Sequence, residues 1–109
     1  MTVSLDLSEQ HRQIVLQVLT ETLPDGTQAW VFGSRAKGRA RRYSDLDLVI
    51  DAGRRLSVDQ TAILREAFDE SDLPYRVDLV DWHALDDGFR RLIMTERVPL
   101  AGLGGDRRR

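Results

Sequence analysis

Cysteine is absent from the 109 residues, which excludes disulfides, thiolate metal sites and zinc fingers. No run approaches the ~20 consecutive apolar residues that cross a bilayer. The stretch from Met1 to Gln10 is acidic and poor in apolar side chains, unlike a secretory leader. A cytoplasmic location is therefore the expectation. Charge of one sign is also missing: the formal net charge is −2, so the molecule as a whole is not built to bind polyanions. Basic residues instead gather locally, from Arg35 to Arg42 and again from Arg107 to Arg109. The first cluster has no interleaved aromatics beyond Tyr43, so nothing there resembles a base-stacking platform, and sequence-specific nucleic-acid binding is not expected.

The hydrophobic fraction of 41% is ordinary for a globular chain, and the length suits one core. Residues 1–103 read as a single domain and 104–109 as a disordered basic tail. Ser8 is a candidate N-cap, followed by Ile14, Val15, Val18 and Leu19 at helical spacing, which predicts a helix from Ser8 to Thr22. His11 falls at the edge of that apolar face. Pro24-Asp25-Gly26 reads as a turn. Strands are expected at Gln28–Phe32, Asp45–Ile50 and Tyr75–Val80. Ser57 with Gln60 fits a capping box, opening a helix over Val58–Glu70. A last helix is expected from Trp82 to Arg97, with Leu85, Phe89, Leu92 and Ile93 inward, followed by a short edge segment at Val98-Pro99-Leu100. Trp82 and Phe89 read as core. The order αβ(α)βαβα predicts an α/β (α+β) domain with a small mixed β-sheet packed against helices.

The stretch from Trp30 to Ile50 carries the chemistry. Side chains of a strand alternate between faces, so Asp45 and Asp47 leave one face while Leu46, Leu48 and Ile50 leave the other. Adjacent carboxylates repel, and the usual compensation is a bound cation; oxygen ligands alone suit magnesium. Gly33 permits close approach of the backbone to a ligand, and Ser34 is placed to cap a short helix whose N–H groups face a phosphate. Arg35 and Lys37, nearest the Gly-Ser turn, are candidate phosphate contacts. Together these residues suggest a site for a nucleoside triphosphate with magnesium. Asp78, on the face opposite Val77 and Leu79, is the best third carboxylate, and Asp81 is its rival at the strand's end. Taken singly, Asp45-x-Asp47 also fits a solvated strand face, Gly33-Ser34 a simple turn, and Arg35 to Arg42 a hydrated basic loop.

Gly33-Ser34, ten residues, then Asp45-x-Asp47 resembles the signature of the DNA polymerase β-like nucleotidyltransferase superfamily. With Arg35, Gly38 and Ser44 added, the string resembles its minimal members, the MNT-domain antitoxins. The resemblance implies the polymerase β-like fold, with Asp45, Asp47 and Asp78 as catalytic residues and ligands of two magnesium ions. It assigns Gly33, Ser34, Arg35, Lys37 and Ser44 to the nucleotide. It further implies transfer of AMP from ATP to a tyrosine of a HEPN-type ribonuclease toxin, within a homo- or hetero-oligomer. Two other functions fit the same residues: a non-catalytic antitoxin that binds its toxin stoichiometrically, and a nucleotidyltransferase acting on a small molecule such as an antibiotic.

Overall fold

Among the described residues, each of the three α-helices starts on a side chain that fills an otherwise unpaired backbone donor. The Ser8 hydroxyl accepts from the His11 N–H and opens α1, Glu9–Thr22. Ser57 and Gln60 form the expected reciprocal capping box and open α2, Val58–Asp69. Asp86 accepts from the Phe89 N–H and opens α3, Asp87–Glu96. The computed structural model describes residues 6–38, 41 and 43–100. Arg39, Arg42 and the basic tail at 104–109 lie outside the described residues.

Between the helices run β1 (Gln28–Phe32), β2 (Leu46–Asp51), β3 (Val77–Asp81) and the two-residue β4 (Val98–Pro99). They form one mixed sheet in the order β3-β2-β1-β4. β1 pairs antiparallel with both β2 and β4, while β2 and β3 run parallel. A parallel pair needs a crossover, and α2 supplies it. Ala29 and Val31 of β1, with Leu46, Leu48 and Ile50 of β2, are buried with Val15, Leu16, Val18 and Leu19 of α1 and Leu64 and Phe68 of α2. That fixes one sheet face as the core face. By alternation, Trp30, Phe32, Asp47, Val49 and Asp78 belong to the other.

The second face is partly covered by α3 and its flanks. The expected helix from Trp82 to Arg97 is divided. A 3-10 turn at Trp82–Ala84 ends on extended Leu85, and the α-helix starts only after Asp86. Two aspartates cause the break: Asp81 accepts from the His83 N–H and Asp86 from the Phe89 N–H. The inward stripe is also narrower than expected. Ile93 is buried, but Phe89 and Leu92 are 39% and 51% exposed. In place of that stripe, the Arg97 guanidinium lies 4.0 Å from the Trp30 ring and 5.5 Å from Trp82, and Arg90 lies 5.2 Å from Trp82. No helix among the described residues is long and apolar enough to cross a membrane.

Candidate active site

Leu46 and Leu48 are fully buried on the core face, and this forces Asp47 onto the opposite side of β2. Asp45 lies one residue before the strand rather than in it, and is exposed. Asp47 is directly in register with Asp78 of the parallel neighbour β3, so their side chains leave adjacent backbones on the same face. The register thus brings together the two aspartates that are thirty-one positions apart in the chain. Asp81, the rival, pairs with Ile50 at the far end of β3 and belongs to the other face. Its carboxylate accepts from the Leu56 N–H at 2.8 Å and the His83 N–H at 3.1 Å, which gives it a structural task.

Gly33 ends β1 beside these carboxylates. Its φ of +76° lies in the left-handed region, where a side chain is strained. A Cβ there would also overlap an Asp47 carboxylate oxygen and sit 3.2 Å from its Cγ. Glycine is therefore required twice, by conformation and by the position of Asp47. The turn that follows, Gly33–Arg35, is a single 3-10 turn with Phe32 as its cap residue. Ser34 lies inside this turn, so the expected capping role does not hold.

Burial raises the pKa of Asp47, and the charges of Asp78 and Asp45 raise it further. Asp47 therefore lies within reach of both other charges. The only ion pair at this end among the described residues that involves these three carboxylates is a long one, Arg76 Nε to Asp78 Oδ1 at 3.7 Å on an exposed pair. The donor set is entirely hard oxygen and carries negative charge that the protein leaves largely uncompensated, which fits magnesium. Among the described residues no three acidic or histidine side chains are already drawn round one point.

The remaining candidates part company. Lys37 Nζ pairs with Glu96 Oε2 of α3 at 3.0 Å, tying the Gly-Ser segment to the last helix. The Ser44 hydroxyl accepts from the Arg41 N–H at 2.8 Å and closes a turn. Arg35 departs furthest from the phosphate contact expected of it. It is 6% exposed, and its guanidinium donates to the backbone carbonyls of Ser44 and Asp6 while stacking 3.9 Å from the Tyr75 ring. Sequence reasoning missed Tyr75 and His11 as its neighbours. Tyr75 hydrogen-bonds His11 Nδ1 at 2.9 Å, and its pKa is raised by burial, opposed by the Arg35 charge. No local spacing signals this group, because its members come from α1, the turn after β1 and the approach to β3.

Comparison with known proteins agrees with this architecture. The family model described as "Polymerase beta, Nucleotidyltransferase" matches residues 13–102. A Haemophilus influenzae protein named as the probable protein adenylyltransferase MntA is 47% identical over 89 residues, covering 82% of this chain and 77% of the relative. Among solved structures, a toxin-antitoxin with AMP-PNP superposes with a TM-score of 0.72 at 24% identity, over 87% of this chain and 76% of its own. A tri-AMPylated Shewanella oneidensis HEPN toxin in complex with MNT antitoxin gives a TM-score of 0.59 at 21% identity, over 87% and 72%. At those identities the two structures support the fold.

Proposed function

We propose, from the premise that this chain belongs to the polymerase β-like nucleotidyltransferase family as one of its minimal members, that it transfers AMP from ATP to a HEPN-type toxin and so neutralises it. The observation that carries the reading is the register of Asp47 with Asp78, beside a glycine whose missing side chain leaves room for the Asp47 carboxylate. The name of the Haemophilus influenzae relative and the modified toxin in the Shewanella oneidensis complex support AMP as the group and a protein as the acceptor. The complex with AMP-PNP supports an adenine nucleotide as donor.

Asp45 and Asp47, with Asp78, are the residues that would hold magnesium. Bound magnesium supplies charge neutralisation at the phosphates and at the attacking and leaving oxygens. Asp78 takes the proton of the acceptor hydroxyl, here a tyrosine. The tyrosine oxygen bonds the α-phosphorus, the bond from that phosphorus to the bridging oxygen breaks, and pyrophosphate leaves with the electron pair. Gly33 and Ser34 bring bare backbone to the phosphates. This work is orientation and charge stabilisation rather than covalent catalysis. The setting is the cytoplasm.

Intact-mass spectrometry tests the proposal. A catalytic amount of the protein with Mg-ATP should add one or more adenylyl units to the cognate toxin, and Asp45→Ala with Asp47→Ala should abolish the addition. A folded double variant that still protects cells, with no mass added to the toxin, would instead establish stoichiometric binding.

A further inference from the structure

Arg35 is a buried cation to which the transfer chemistry proposed above gives no task. Burying a guanidinium is costly unless its donors are filled, so its partners show what it is held for. Nε and Nη2 both donate to the Ser44 carbonyl, at 3.1 and 2.8 Å, and Nη1 donates to the Asp6 carbonyl at 2.8 Å. The guanidinium plane is backed by Tyr75, whose hydroxyl is tied to His11 of α1. The Ser44 carbonyl belongs to the peptide unit that joins Ser44 to Asp45. On the other side of Asp45, the Leu46 N–H donates to the Arg76 carbonyl at 2.9 Å as β2 meets β3. Asp45 lies outside the strand ladder, yet its backbone is pinned on both sides. The pin on the N-terminal side is Arg35.

We infer that Arg35, braced by Tyr75, is a positioning residue that fixes the backbone of Asp45 for metal binding, and is not a ligand of the nucleotide phosphates. The inference rests on the reading of Asp45 as a magnesium-holding carboxylate. Lysine cannot replace arginine in this role, because a single ammonium cannot give a fork to Ser44, reach Asp6 and stack flat on a ring. A phosphate contact, by contrast, tolerates lysine as a point charge.

Calorimetry of ATP binding across a range of magnesium concentrations separates the two roles, using the unaltered chain, Arg35→Lys, Arg35→Met and Tyr75→Leu. Positioning requires that Arg35→Lys and Arg35→Met both lose about 10- to 100-fold in apparent magnesium affinity, the usual effect of removing a partner that orients a ligand. Tyr75→Leu should shift the same way by a smaller factor. High magnesium should restore ATP binding in all three, which a merely unstable protein would not show. Full binding by Arg35→Lys, with weak binding by Arg35→Met at every magnesium concentration, would overturn the inference. So would an unchanged magnesium dependence in Tyr75→Leu, and that variant decides the matter alone if the Arg35 variants do not fold. Failure of the unaltered chain to bind Mg-ATP would overturn the transfer reading and the inference with it. Binding that ignores all three substitutions overturns the inference only.

Discussion

The strands β2 and β3 carry acidic residues at both ends, and the two ends are built to opposite rules. At the far end, Asp51 Oδ1 accepts from the Gly53 N–H at 2.8 Å and meets His83 Nε2 at 2.7 Å, while Asp81 accepts from Leu56 and His83. Those carboxylates are provided with donors and fix loops. At the near end, Asp47 stands in register with Asp78, and burial together with the charges of Asp78 and Asp45 raises the pKa of Asp47. The same side chain on the same pair of strands is held by hydrogen-bond donors at one end and left largely without them at the other. Uncompensated charge, more than the mere presence of an acidic pair, distinguishes the end proposed to hold magnesium.

Substitutions at the two ends should diverge accordingly. Asp47→Asn is expected to have the largest effect on transfer, a loss of about 10³-fold or more, comparable with or beyond removal of a preorganised charge-stabilising group. Its folded state should be at least as resistant to heat at neutral pH, because a repulsive charge has gone; a melting curve checks this. Asp78→Asn should lower kcat by about 10²- to 10⁴-fold with a smaller change in the KM for ATP, as loss of a proton acceptor does. Steady-state kinetics with the purified toxin would show it. Gly33→Ala should weaken both Mg-ATP binding and folding. Its side chain requires Asp47 to move and costs about 1–3 kcal/mol for the left-handed backbone. At the far end, Asp81→Asn should leave transfer kinetics nearly unchanged and cost about 1–3 kcal/mol of stability, readable by urea unfolding, because the amide keeps one acceptor oxygen for the two N–H groups of Leu56 and His83. Equal kinetic effects of Asp78→Asn and Asp81→Asn would erase the distinction between the two ends.

Much of this was legible in the sequence where the signals are local. Ser8 and Ser57 announced their helices, and alternation placed β1 at its observed residues. The Asp45-Asp47 pair and Gly33 are visible by spacing, and the structure adds the register that sets Asp47 beside Asp78. What was hidden depended on distant partners. Arg35 sits in a basic run and reads as a surface cation, but carbonyls nine and twenty-nine residues away and the Tyr75 ring make it an interior one. Lys37 reads as a phosphate contact, and its ion pair with Glu96 of α3 has no signal in the sequence around it. The break at Leu85 was within reach, since Asp86 followed three residues later by Phe89 is an ordinary helix start. The apolar spacing through Leu85, Phe89 and Leu92 outweighed it, although Phe89 and Leu92 end up exposed.

The charge of Asp47 tests the central contrast most directly. Because its pKa is raised in the folded state, the folded protein binds that proton more readily than the unfolded chain. Asp47 therefore subtracts stability as pH rises from the ordinary aspartate value of 3.8 through its own raised value, and the penalty is complete above that. A carboxyl-carbon NMR titration, with Asp47 assigned through Asp47→Asn and repeated with saturating magnesium, reads this at the residue itself. The account predicts a midpoint above the ordinary aspartate value without magnesium and a marked fall when the metal is added. An ordinary midpoint that magnesium leaves unmoved would contradict it.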